Sequence, residues 1–251
     1  MGMLHMDYLS QILGYHTNIY YILPECTKEG KLPAATLYLL HSEKGNGMDW
    51  MRYTALERYA EQYNISVVMP EVDGSCFYAD MKYGYRYFTY LTEEVVAVAQ
   101  GLLPVNKDSR HRLAAGASMG GYGAYKWAFY KPEFFRAVAG FSPVFDVAEY
   151  FDADNLQKIG LEDNIAELNW GSPEELKGTI SDSSHWLNNG ASGMPELYAA
   201  CATKEPGHEK AQRFLQDCRE RNISIHYEEV SGTGDWGTRE LMLRQFLEWS
   251  L

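Results

Sequence analysis

Short, uninterrupted apolar runs alternate with amphipathic stretches along most of the chain. Residues 35–40, 65–69, 113–115, 136–141 and 196–202 have the length and continuity of strands buried on both faces. Between them lie segments with apolar residues at helical spacing. These stripes are Leu56, Tyr59, Ala60 and Tyr63; Val95, Val98, Ala99 and Leu102; Ala211, Phe214, Leu215 and Cys218; and Leu243, Phe246, Leu247 and Trp249. Two further strands are predicted at 7–13 and 17–23, with Gly14 and Tyr15 near the turn. A last strand is predicted at 223–227, where Ile223, Ile225 and Tyr227 alternate. Asp49 and Thr92 read as helix starts, and Ser172 with Pro173 as a cap and first helical position. The alternation predicts a mostly parallel sheet with helices on both faces. Residues 144–195 break the rhythm and read as a small helical cap insertion in a single domain, 1–251.

One turn carries a chemical signal. Gly116-Ala117-Ser118-Met119-Gly120-Gly121 follows a strand pattern and opens a helix at 122–131. A serine in a sharp, small-residue strand-to-helix turn is the context of a nucleophile elbow, which selects the α/β-hydrolase fold. The turn would lift the Ser118 hydroxyl out of the fold and leave the Met119 N–H free for an oxyanion. The plainer reading is a Gly-rich turn with an incidental serine. The loop at 71–88, rich in aromatic residues, follows another strand. Phe77 and Tyr78 there read either as a pocket wall or as structural packing.

Composition narrows the partners. The net charge of −12 argues against nucleic acid and anionic membranes. No leader-like or membrane-spanning apolar stretch is visible, and the four cysteines form no C-x-x-C pair, so the expected setting is cytoplasmic with reduced thiols. No H-x-x-x-H or H-E-x-x-H pair suggests a metal. A homo-oligomer is compatible with the sequence.

Nearly the whole chain resembles the esterase family of α/β-hydrolases that includes tributyrin esterase and, more distantly, esterase D and S-formylglutathione hydrolase. The resemblance rests on Leu39-Leu40-His41, Asp49-Trp50, Val67-Val68-Met69-Pro70, Phe77-Tyr78, Tyr83-Gly84 and Ser118-Met119-Gly120-Gly121-Tyr122-Gly123-Ala124. Pro173 to Gly178, Leu197-Tyr198 with Cys201, and Asp235-Trp236 follow in the family's order. It implies hydrolysis of short acyl esters without a metal or organic cofactor. Ser118 would be the nucleophile, and the N–H groups of Met119 and Glu43 the oxyanion donors. Glu205 stands at the position of the orienting acid, and His41 and Ser42 line the pocket with Phe77 and Tyr78. Three positions depart from the pattern. Ser42 replaces a glycine, a strained choice if that position has φ > 0. Glu43 brings a carboxylate to the oxyanion loop, unfavourable unless it turns to water. Gly234 stands where the family has its catalytic histidine. Of the seven histidines, His208, three residues beyond Glu205, is the best-placed substitute base. Two readings follow: a serine esterase of reduced activity, or a catalytically silent binding or regulatory protein on the same fold.

Overall fold

One twisted sheet runs through the computed structural model, which describes residues 1–188 and 193–251. Its strands are β1 (Gly2–Leu9), β2 (His16–Leu23), β3 (Ala35–Leu40), β4 (Ile65–Pro70), β5 (Arg112–Ala117), β6 (Ala137–Phe141), β7 (Glu196–Ala202) and β8 (Ile225–Val230). They lie in the order β1-β2-β4-β3-β5-β6-β7-β8. β1 and β2 are antiparallel to their neighbours, and β4 through β8 are parallel. This is the α/β-hydrolase arrangement expected above.

The inner strands are mostly apolar because both faces are covered, and the buried hydroxyls of Thr36 and Ser66 pair with each other at 2.9 Å. In β3, Tyr38 and Leu40 point into one core with Ala114, Val138, Tyr125 and Phe214. Leu37 and Leu39 point into the other with Leu113, Ala139, Trp50 and Phe246. The second core is closed by α1 (Asp49–Tyr53) and α2 (Leu56–Gln62), with the C-terminal helix described below.

Local chemistry shifts several expected boundaries. The first strand lies at 2–9 rather than 7–13. The Glu94 carboxylate takes the Ser10 hydroxyl at 2.6 Å and the Gln11 and Ile12 N–H groups, so the chain turns there. Asp49 opens only the five-residue α1, which stops at Thr54 before α2 begins. Thr92 caps nothing. The helix begins earlier, as α3 (Tyr87–Thr89), widens through a π-turn over Tyr90–Val95 and continues as α4 (Val96–Leu102), with Thr92 buried inside it. Leu102, expected inward, is exposed at the end of α4.

Helix α5 (Met119–Tyr130) follows β5 directly. Four short helices come next: α6 (Ala153–Lys158), α7 (Ile165–Trp170), α8 (Pro173–Leu176) and α9 (Ser183–Asn188). Ser172 caps α8 in a capping box: its hydroxyl takes the Glu175 N–H while Glu175 takes the Ser172 N–H. This segment packs on α5 and the aromatic loop, with the Tyr122 hydroxyl donating to the Ser181 carbonyl at 2.6 Å. Residues 189–192 of the expected insertion lie outside the described residues. Two long helices finish the chain, α10 (His208–Glu220) and α11 (Trp236–Ser250). The expected stripe Ala211, Phe214, Leu215 and Cys218 is the buried face of α10.

Helix α5 lies against backbone, not side chains. A Cβ on Gly120 would stand 2.5 Å from the Leu40 carbonyl oxygen and 2.7 Å from that of His41. A methyl there must displace the end of β3, whereas a methyl on Gly101 in α4 meets nothing within 4 Å. Gly120→Ala is expected to cost about 3 kcal/mol, and Gly101→Ala to gain about 0.5–1 kcal/mol. Urea denaturation of both variants, at unchanged m-value, checks the opposite signs.

Candidate active site

Ser118 alone joins β5 to α5, and its backbone takes φ 50° and ψ −114°. Such a conformation costs a non-glycine residue on the order of 1–3 kcal/mol and persists only where neighbours impose it. Here they do. The Ser118 N–H donates to the Phe141 carbonyl at 3.0 Å, and its own carbonyl accepts from Tyr122 and Val144. The side chain is held at the crest of the turn, partly exposed, and no described residue hydrogen-bonds its hydroxyl.

The Met119 N–H, the expected oxyanion donor, is occupied. It donates to the Glu43 carboxylate, Oε2, at 3.2 Å. The Glu43 side chain therefore turns into the site instead of to water. Its backbone N–H meets no acceptor among the described residues. The strain considered at Ser42 is absent: the left-handed residue of this loop is Lys44, at φ 56°. The Ser42 hydroxyl instead lies 3.3 Å from the Arg239 guanidinium, which donates to it.

Glu205 and Gly234, expected at the acid and base positions, lie together. Gly234 has φ 75°, and a Cβ built on it would stand 2.6 Å from Glu205 Oε1 and 2.7 Å from its Cδ. The Glu205 carboxylate thus fills the space that a side chain at 234 would enter. Burial raises its pKa above the usual carboxylate range, against the pull of the Ser142 hydroxyl and Arg239. Asp235 beside it caps α11, taking the Thr238 N–H at 2.9 Å, and so is directed away as a helix cap.

The esterase family profile, described as "Putative esterase", matches residues 10–238. The chain belongs to this esterase family. An acetyl esterase of Caldicellulosiruptor saccharolyticus is 24% identical over 267 residues, which cover 99% of this chain and 98% of the relative. Among solved structures, substrate-bound FphF, a fluorophosphonate-binding serine hydrolase of Staphylococcus aureus, superimposes with a TM-score of 0.89. It is 28% identical, over 99% of this chain and 98% of that one. The S-formylglutathione hydrolase FrmB of Staphylococcus aureus gives a TM-score of 0.87 at 28% identity, with the same coverage.

Against that family background, the histidines lie on other duties. His208, the expected substitute base, opens α10 and pairs through Nε2 with Glu229 at 3.0 Å. His41 is fully buried. Its Nε2 accepts the Val72 N–H at 3.2 Å, so the proton sits on Nδ1 and goes to the Ser42 carbonyl at 2.9 Å. Burial lowers its pKa, and the ring stays neutral and locked. His5, His16, His111 and His226 bond to Asn18, Asp7, the Ala34 carbonyl and Glu228. His185 lies on α9. No group of three His, Cys, Asp or Glu side chains among the described residues converges to ligate a metal ion.

Of the expected pocket residues, Ser42 lines an open cavity, while His41, Phe77 and Tyr78 are sealed in the core. Phe77 and Tyr78 are fully buried, at φ 46° and 47°. Phe77 lies against Tyr150 and Trp170, and Tyr78 against Gly123 of α5.

Sequence reading passed over Arg239, Tyr150 and Lys126. Burial raises the pKa of Tyr150, from the segment after β6, and the nearby carboxylates of Glu149 and then Glu43 add to it. Lys126 on α5 is fully buried. Its ammonium donates to the Tyr78 carbonyl at 3.0 Å and the Ser181 hydroxyl at 2.8 Å, 4.3 Å from the centre of the Phe88 ring. Burial pulls its pKa down from 10.5 to about 7. Between those values the unfolded chain holds a proton that the folded chain does not, so this amine makes stability rise with pH. Thermal unfolding between pH 7 and 9 is expected to show that slope, and Lys126→Met to remove it.

Proposed function

We propose that this chain is a catalytically silent member of the esterase family that keeps the site as a binding pocket for a small acyl ester or the acid derived from one. The observation that carries the reading is the contact of Glu205 with Gly234. The base is missing, and the carboxylate that would have oriented it closes the gap. A serine hydroxyl without a base is a weak nucleophile, and loss of a triad member removes several orders of magnitude of rate. The Glu43 carboxylate on the Met119 N–H acts in the same direction. An oxyanion forming there would meet a negative charge where the reaction needs only donors. The free thiols of Cys26, Cys76, Cys201 and Cys218 fit a cytoplasmic setting.

A second reading, slow hydrolysis of short acyl esters by Ser118, is favoured by one observation. The strained elbow is kept, with the serine at its crest. The two readings separate in a turnover assay. With p-nitrophenyl acetate and butyrate, wild type is expected to match Ser118→Ala. A Ser118-dependent rate would establish the second reading instead.

Repair of the relay gives a sharper result. Gly234→His alone must displace the Glu205 carboxylate, so its gain is expected to be small. Glu205→Asp shortens the acid by one methylene and makes room for the ring. The double variant is expected to hydrolyse p-nitrophenyl butyrate about tenfold or more faster than Gly234→His alone. Equal rates in the two would mean that Glu205 does not obstruct position 234.

A further inference from the structure

A polar cavity of about 420 Å³ opens beside the site, between the oxyanion loop, α1 and the head of α11. Ser42 and Glu43 belong to both. Three cations line it: Lys44, Arg52 and Arg239. None of the three has a carboxylate within 4 Å among the described residues, in a chain with 34 acidic and 22 basic side chains. Arg239 donates only to the Ser42 hydroxyl, and its buried Nε–H has no acceptor. Lys44 reaches the Ile159 carbonyl at 3.4 Å. The two carboxylates of the wall are engaged: Glu43 holds the Met119 N–H, and Asp49 takes the Asn46 N–H at 3.1 Å. One side is aromatic. Tyr53 stacks on Trp236 at 5.1 Å, and the Arg239 guanidinium lies 5.2 Å from the Trp236 ring centre.

Cations left unpaired around a concave site, with a planar guanidinium held over an indole, form a receptor for an oxyanion group. We propose that this cavity binds the carboxylate or phosphate of a small ligand on Arg239, with Arg52 and Lys44 closing around it. The anchored ligand then extends past Ser42 and Glu43 toward Ser118. The proposal rests on reading the site as a ligand pocket and names the ligand's class: an anionic monoester or organic acid rather than a neutral ester. The flat wall of Tyr53 and Trp236 suits a short chain or ring next to the anion.

Calorimetric titration of the whole protein with matched probes tests it. Monomethyl succinate carries the anion, dimethyl succinate lacks it, and inorganic phosphate is the alternative oxyanion. Monomethyl succinate or phosphate is expected to bind about tenfold or more tightly than dimethyl succinate, and to weaken with added KCl. Phosphate that competes with monomethyl succinate assigns a general oxyanion site, and phosphate that does not assigns a carboxylate site. Arg239→Gln is expected to erase the preference. Arg52→Gln, at an exposed position, is expected to reduce it and serves should Arg239→Gln not fold. Equal affinity for the charged and neutral esters, no binding of any probe, or a preference untouched by both substitutions would overturn the proposal. The silent reading fails separately: Ser118-dependent acid release from dimethyl succinate would contradict it without touching the charge preference.

Discussion

The layout of the site depends on the approach of helix α5 to the end of β3. Gly120 lies so near the Leu40 and His41 carbonyls that no side chain fits between them. Gly116 is in turn closed against the backbone of Gly120. With both ends pinned, the one residue between β5 and α5 must absorb the change of direction. Ser118 does so at a φ of 50° that a free chain would avoid. The same approach brings the oxyanion loop beside the start of α5, which lets Glu43 reach the Met119 N–H. Local sterics, backbone strain and the layout of the site are therefore one chain of cause.

Two carboxylates then decide what the site can do. Glu43 supplies a negative charge to a donor that hydrolysis would reserve for the transition state. Glu205 fills the space that a side chain at Gly234 would enter, and its buried Oε2 lacks a hydrogen-bond partner. Nearby Arg239 pulls its pKa back down, although burial prevails. Arg239 also holds the Ser42 hydroxyl, so one guanidinium links the oxyanion loop, the acid and the neighbouring cavity. In the proposed reading, the carboxylates that would weaken ester cleavage surround a cation suited to an anionic ligand.

The legible part of the fold was the part whose burial is symmetric. The runs at 35–40 and 196–202 match β3 and β7 residue for residue because all their positions but the exposed Glu196 are buried within the sheet. The edge strand β1 was displaced by several residues because its positions are mostly exposed, and Glu94, far away in sequence, ends it. Thr92 resembled a cap because its neighbours are acidic, but tertiary burial carries the helix back to Tyr87. In the site, the elbow was legible because it is local, a single residue between β5 and α5. Where the Glu43 side chain points was not. It depends on a contact across 76 residues, as the Ser42–Arg239 bond depends on one across 197. His208 looked suitable by spacing alone, but the partner that fixes it, Glu229, comes from β8.

In the proposed silent site, Ser118 is presented but not activated, because no described residue hydrogen-bonds its hydroxyl and Gly234 offers no base. The most direct measurement is the rate at which an alkyl fluorophosphonate modifies Ser118, followed by intact mass and peptide mapping at neutral pH. No modification of Ser118 above that of ordinary surface serines is expected over hours. Rapid, stoichiometric labelling at Ser118, abolished by Ser118→Ala, would contradict it and require a proton acceptor at the elbow.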